Sequence, residues 1–242
     1  LACGPIETSK ILLRSLKEIS EIKLLDTQMS YSLAIRWPTK AMKKTFGLSH
    51  FTSNISINST HPLKLHTQYY SHLYQNRSLI LKRLHKLFRI PASFLLKLLD
   101  PFLVVAISYL SAEQSGSLKV SRNASELDEI IVTSIISEQH YREFKRAYSV
   151  LSARLKKLGL FTNRWLVFHQ APGKSFHFGA TPSRIASKNG RIFGFERSYI
   201  AGALGLPSLH PGPITTAAMT HAVIVSSQLA SELNKDRKST RL

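Results

Sequence analysis

Apolar positions recur with helical spacing in three parts of the chain. They predict a helix over residues 5–16, a longer one over residues 138–158, and a third from residue 214 to about residue 233. A capping box at residues 125–128 predicts a helix start before residues 130–136. The pattern therefore favours helices that each cover a core with one face.

Other stretches have the pattern of strands. Nine apolar-rich residues at 102–110 predict a buried strand, which a turn joins to residues 118–121 in a hairpin. Residues 1–4 are typical of the end of a buried strand that a glycine breaks, with Cys3 as a buried thiol. A strand at the first residue lacks its neighbours, so we expect the chain to be a fragment of a larger fold.

Composition narrows the class of protein. The chain has 242 residues, of which 43% are apolar, enough to bury a core in one or two domains and to exclude wholesale disorder. Its single cysteine excludes an internal disulfide framework and a zinc site built on paired cysteines, and no metal site is predicted. We expect no transmembrane segment, because the apolar runs are far shorter than the ~20 residues that span a bilayer. No secretory signal is visible; a cytoplasmic location is favoured, although the compartment stays open.

The charge is strongly basic, with a formal net charge of +19. Such a charge attracts nucleic acid, an anionic membrane face or an acidic substrate. The cations are spread along the first two thirds of the chain, and an amphipathic basic helix predicted at residues 78–88 is as easily a solvated face. No zinc finger, RNA-recognition signature or heptad-linked basic region is present, so no specific nucleic-acid partner is predicted.

Candidate chemistry concentrates in a segment rich in Gly, Pro, His and aromatic residues, at 165–213. The chain has no glycine-rich dinucleotide fingerprint, phosphate-binding loop or nucleophile elbow. Of its ten histidines, His177 and His210 differ from the rest because each lies in a turn rich in Gly or Pro. Histidine titrates near neutrality, so both are candidates for acid–base work.

Three blocks resemble the glucose-methanol-choline (GMC) family of FAD-dependent oxidoreductases. Residues 1–15, LACGPIETSKILLRS, are similar to the family's second signature. Residues 174–230 are similar to its C-terminal block, with HFGAT at 177–181, YIAGA at 199–203 and His-Pro at 210–211. Ala180 stands where the family motif has Gly, and Gly202 where Asp is common. Residues 109–117 also resemble a hairpin of bacterial members.

The resemblance implies that FAD is the cofactor and that a small alcohol or sugar-like molecule is the substrate. His177 would be the general base that takes the hydroxyl proton, and His210 would hydrogen-bond the substrate oxygen. The residues implied to bind the cofactor are Gly4, Gly202, Ala203, Pro211, Gly212 and Ile214.

The resemblance also implies a division of the chain. Residues 1–17 would be a returning segment of the FAD-binding domain, 18–182 the substrate-binding domain, and 183–233 the C-terminal segment of the FAD-binding domain. The missing partner would be the N-terminal FAD-binding part of the same chain. The polar tail at 234–242 is expected to be disordered.

The predicted fold class is α+β. It combines an antiparallel-sheet substrate domain, with helices on one face, and C-terminal remnants of an α/β FAD-binding domain. The function expected is oxidation of a CH–OH group by hydride transfer to flavin, and the fragment alone is expected to be poorly soluble and to retain no flavin. Two alternatives stay open: a basic non-catalytic module that binds nucleic acid or an anionic membrane surface, and a degenerate, inactive homologue.

Overall fold

The computed structural model describes residues 1–36, 51–57, 63–70, 102–123, 129–175, 178–179, 185–187 and 189–239. These residues form two compact units. Unit 1 comprises Leu1–Gln28, Ser111–His140 and Ala171–Leu242, and unit 2 comprises Met29–Leu110 and Tyr141–Gln170. The predicted boundaries at residues 17, 182 and 233 follow from the family resemblance and remain predictions, whereas the contacts within this chain divide it differently. The predicted basic helix at 78–88 lies outside the described residues.

Unit 2 is built on a five-stranded antiparallel sheet. Its strands are β2 (Met29–Arg36), β3 (Phe51–Ile57), β4 (Leu63–Tyr70), β5 (Leu103–Leu110) and β8 (Leu160–His169), in the order β3-β4-β5-β2-β8. Every residue of β5 is buried, as the continuous apolar run predicts. A central position explains this, because both faces of β5 are covered and both edges are paired.

Helix α2 (Glu138–Lys157) covers one face of this sheet. Its inward residues recur at helical spacing, and Phe144 and Leu151 are almost fully buried against strand residues such as Leu65 and Ala106. The helix ends at Lys157, and Gly159 follows in the turn with a φ of +75°, a conformation that glycine adopts without strain. The helix predicted at 138–158 and its terminating glycine are thus confirmed.

Unit 1 contains a four-stranded antiparallel sheet in the order β7-β6-β1-β9. The strands are β1 (Glu21–Asp26), β6 (Ser117–Arg122), β7 (Ile130–Ile135) and β9 (Phe178–Gly179). Helix α1 (Pro5–Ser15) packs its buried residues Leu12 and Leu13 with Leu24 of β1 and Ile200. Helix α3 (Thr215–Ser239) closes the described chain, and short 3₁₀ helices lie at Ala112–Gln114 and Ala203–Gly205.

The α+β class is confirmed, because helices and antiparallel sheets occur together. The predicted hairpin between residues 102–110 and 118–121 is wrong. β5 pairs with β2 and β4, whereas β6 pairs with β1 and β7 in the other sheet. The connection contains the 3₁₀ helix at 112–114 rather than a tight hairpin turn.

Two other local predictions are also corrected. Residues 130–135 form strand β7 rather than the start of a helix, since their run of β-branched side chains favours extended backbone. Helix α3 extends to Ser239, so the tail expected to be disordered is helical over most of its length. Lys235, Arg237 and Lys238 are good helix formers, which explains the extension.

Residues 1–4 differ from the prediction as well. They are exposed, they form no regular strand, and Cys3 is an exposed free thiol. No helix in the described part of the chain combines the length and apolarity needed to cross a membrane.

Candidate functional site

The backbone of Leu1 pairs with a segment almost two hundred residues further along the chain. Its amino group donates a hydrogen bond to the carbonyl of Tyr199, and the N–H of Ala201 donates to the Leu1 carbonyl at 2.9 Å. In a parallel pair, the N–H and C=O groups of one residue bond the two residues that flank its partner, and Leu1 bonds Tyr199 and Ala201 in this way. The partner between them, Ile200, is fully buried. Two of the blocks that carry the family resemblance are therefore adjacent in unit 1.

A glycine with positive φ follows each paired segment, directly after residue 201 and three residues after Leu1. The φ angles are +88° at Gly4 and +96° at Gly202. At both positions a Cβ would have no atom within 4 Å, so the backbone faces open space. A position without a side chain lets a ligand approach the backbone closely, so the open backbone at Gly4 and Gly202 makes these two glycines candidate ligand contacts.

Strand β9 lies against the segment that follows Gly202. A Cβ on Gly179 would be 2.3 Å from the carbonyl oxygen of Ala203, so only glycine fits this backbone contact. On its other side β9 pairs with β1, with Asp26 opposite Phe178 and Leu25 opposite Gly179. These contacts fix the two residues that follow His177 in the chain.

Asp26 is a buried carboxyl group at the end of β1. It accepts the N–H of Gly173 at 2.9 Å and the hydroxyl of Ser175 at 2.7 Å. Burial raises the pKa of Asp26, and these two hydrogen bonds oppose the rise. The carboxyl group thus holds the turn that immediately precedes His177. Sequence reasoning missed this residue, and its one signal was an acidic side chain ending an apolar strand.

Of the two predicted catalytic histidines, the structure describes His210 and not His177. His177, with Ala180 and Thr181 of the same motif, lies outside the described residues. His210 is exposed and follows Leu209, which is buried. The roles expected for His177 as general base and for His210 as hydrogen-bond partner of the substrate oxygen therefore remain predictions.

The residues around His210 are better defined. Leu206 and Leu209 form an apolar cluster in which Ala203 and Ile214 take part. Pro211 is half-buried, and Gly212 is buried with a φ of +116°. Four of the six residues predicted to bind the cofactor, Ala203, Pro211, Gly212 and Ile214, thus lie in this cluster or in the turn that it anchors.

His221 of α3 is a buried histidine that packs on the 3₁₀ helix at Ala203–Gly205. A Cβ on Gly205 would lie 2.2 Å from its Cε1 atom, so the imidazole packs directly on the backbone of the 3₁₀ helix. Burial lowers the pKa of this imidazole. Its place in the chain, on a helix rather than in a glycine-rich turn, gave no sign of this contact.

A cavity of about 420 Å³ opens elsewhere in unit 1. Arg191, Phe193, Phe195 and Glu196 are among its lining residues, and the predicted site residues are not. The candidate site is therefore placed at the exposed backbone of Gly4 and Gly202, and not in this cavity.

The described part of the chain holds no group of three or more His, Cys, Asp or Glu side chains arranged for a metal ion. No protein-family model matches the chain, and no curated protein matches it either.

Proposed function

We propose that the chain is the C-terminal portion of an FAD-dependent oxidoreductase of the GMC type that oxidises a CH–OH group. The resemblance of residues 1–15 and 174–230 is the starting point. The observation that supports the proposal most is the parallel pairing of Leu1 with the segment at 199–201, because it joins the two blocks assigned to the flavin-binding domain.

The residues present suit a flavin cofactor. Gly4 and Gly202 offer bare backbone, and a Cβ at either position would intrude on the open space there. Ala203 follows Gly202 directly, and Ala203 and Ile214 pack in the apolar cluster next to Pro211 and Gly212. Gly202 and Ala203 would lie along the ribityl-pyrophosphate stretch of FAD, and Pro211 with Gly212 against its ring. When bound, FAD supplies the hydride acceptor that no side chain can provide.

The remaining chemistry belongs to the protein. The substrate's C–H bond breaks with departure of a hydride, its O–H bond breaks with loss of a proton, and a carbonyl forms. His177 accepts that hydroxyl proton, and His210 donates a hydrogen bond to the substrate oxygen and holds it in line. Asp26 fixes the turn at 173–175, and β9 is fixed on the other side of His177 by Leu25 and Ala203.

The test uses the full-length protein encoded together with its upstream reading frame. Its flavin is mixed anaerobically with a panel of primary alcohols and aldoses, and flavin reduction is followed by absorbance. His177→Ala is expected to lower the reduction rate by about two orders of magnitude, the usual size of a general-base contribution. Added imidazole should restore part of the rate.

Unchanged flavin content in the variant is the control for folding. Unchanged reduction kinetics in His177→Ala would remove His177 from its role. Absence of reduction by every alcohol in the wild type would favour the degenerate homologue.

A further inference from the structure

The cavity of unit 1 that lies apart from the proposed flavin site has a mixed lining. Its volume of about 420 Å³ is in the range of about 300–1,000 Å³ that is usual for small-molecule pockets. Two aromatic side chains, Phe193 and Phe195, line it together with one cation, Arg191, and one carboxylate, Glu196. A cavity with an apolar wall and both signs of charge suits a molecule that has the same three parts.

A hydrogen-bonded loop supplies these four side chains. The N–H of Ile192 donates to the carbonyl of Ser198 at 2.9 Å and closes the loop. Inside it, the N–H of Phe195 donates to the Ile192 carbonyl at 3.3 Å across Gly194, whose φ of +82° suits a tight turn. The four lining side chains thus come from one short segment, residues 191–196, whose backbone these bonds hold in place.

The two phenylalanines are exposed for aromatic side chains, Phe193 by 50% and Phe195 by 36%. Ile192, the residue before Phe193, is buried in the core of unit 1 with Ile200. The exposure is therefore specific to the wall of the cavity and does not come from a loosely packed segment. Covering these rings with an apolar group would be favourable.

The charges of Arg191 and Glu196 are not neutralised by each other, although both side chains line the same cavity. In the part of the chain that the structure describes, the recorded ion pairs are Lys119 with Glu21 and Arg146 with Glu143. Neither pair includes Arg191 or Glu196. One cation and one carboxylate therefore remain at the cavity for a bound molecule.

An adjoining cavity of about 370 Å³ shows that the second carboxylate nearby is already engaged. It shares Arg191 and Glu196 with the first cavity and is also lined by Glu232 of α3. The hydroxyl of Tyr199 donates a hydrogen bond to Glu232. Of these two carboxylates, Glu196 is therefore the one that a ligand can use.

We propose that the cavity binds a free α-amino acid with a large apolar or aromatic side chain. Arg191 would donate hydrogen bonds to the α-carboxylate, and Glu196 would accept them from the α-ammonium group. The ligand's side chain would lie on Phe193 and Phe195. A zwitterion matches both charges, whereas Glu196 would repel a simple anion and Arg191 a simple cation.

The experiment is a ligand-observed NMR titration of the full-length protein with four compounds. L-Phenylalanine has all three recognised parts. The compound 3-phenylpropionate lacks the ammonium group, 2-phenylethylamine lacks the carboxylate, and glycine lacks the apolar side chain. We expect L-phenylalanine to bind, and each of the other three to bind about tenfold more weakly or less.

Three variants test the assigned contacts. Arg191→Gln, Glu196→Gln and Phe193→Ser should each weaken binding of L-phenylalanine by about tenfold. In Glu196→Gln, the preference for L-phenylalanine over 3-phenylpropionate should disappear, because the carboxylate that recognises the ammonium group and repels the anion is gone. All three side chains are exposed, so an unchanged melting temperature is the check on folding.

The matched control replaces two exposed charges of α2 that do not line the cavity, Arg142→Gln with Glu138→Gln. We expect less than a threefold effect. An equal loss in this control, no binding of L-phenylalanine to the wild type, or equally tight binding of 3-phenylpropionate would overturn the proposal. None of these outcomes depends on flavin or on alcohol oxidation, which test the proposed enzymatic function separately.

Discussion

Units 1 and 2 differ in the kind of position that is most informative about each. In unit 2 a helix packs on a regular five-stranded sheet, and fourteen buried side chains from those elements interdigitate in one cluster. In unit 1 the informative positions are backbone: Gly4, Gly202 and Gly212 have positive φ, and Gly179 touches a neighbouring carbonyl. Both units have a buried apolar core, but in unit 1 the candidate site also depends on positions where a side chain is absent.

The largest expected effect tests the packing of unit 2. Phe144 is 2% exposed and stacks on Tyr148 with ring centroids 5.7 Å apart. Phe144→Ala should lower the free energy of unfolding by about 3–5 kcal/mol, through lost burial and the cavity left behind. Urea denaturation followed by circular dichroism measures the change.

The exposed neighbour Lys145 supplies the control for this measurement. Lys145→Ala should change stability by no more than about 0.5 kcal/mol. A loss below about 1 kcal/mol in Phe144→Ala would mean that α2 does not pack on the sheet as described.

The next effect tests the backbone contact of unit 1. Gly179→Ala places a Cβ 2.3 Å from a carbonyl oxygen that no rotamer change can move. Stability should fall by about 1–3 kcal/mol, and flavin retention in the full-length protein should fall with it because Ala203 is displaced. Thermal unfolding and flavin fluorescence report the two losses.

Gly159→Ala is the matched control. Its φ is +75° but its Cβ would meet no atom within 4 Å, so the cost is conformational strain of about 1–2 kcal/mol. Flavin retention should not change. Equal flavin loss in both variants would show that general destabilisation, and not the contact with Ala203, is responsible.

The smallest effect concerns the buried carboxyl group of Asp26. Its pKa is raised above the usual 3.8 in the folded protein, so the folded state binds this proton more tightly than the unfolded chain does. The stability that Asp26 contributes is therefore greatest below the usual pKa, and it decreases as pH rises through the raised value. Asn at this position can still accept from Gly173 but cannot ionise.

The stability of the wild type relative to Asp26→Asn should accordingly decrease as pH rises from acid toward neutrality. Urea titrations across that range measure the slope. A difference for Asp26→Asn that does not vary with pH would contradict the raised pKa.

Local periodicity predicted unit 2 better than it predicted unit 1. Apolar spacing predicted helix α2, which buries one face, and strand β5, which is buried on both faces. The hairpin error arose because sequence neighbours were assumed to be partners, whereas β5 and β6 find theirs in different sheets. Local pattern does not encode such non-local pairing.

In unit 1 the sequence identified candidate residues but not their contacts. The resemblance singled out Gly4 and Gly202, yet the pairing of Leu1 with Tyr199 and Ala201 spans nearly the whole chain and has no periodic signal. The sequence also did not predict that Cys3 is exposed, because a short apolar run next to a glycine is equally typical of buried and of exposed backbone. Asp26 and His221 went unassigned because their roles depend on what folds against them.

In the complete protein, we expect flavin to bind beside the paired backbone of Leu1 and residues 199–201 in unit 1. The most direct measurement is to purify the full-length protein, denature it, and quantify the flavin released per chain. We predict about one FAD per polypeptide, and a marked loss when Gly202 is replaced by Val, since a side chain there would occupy the open space at a φ of +96°. Full-length protein that folds and contains no flavin, and binds none when FAD is added, would contradict the account.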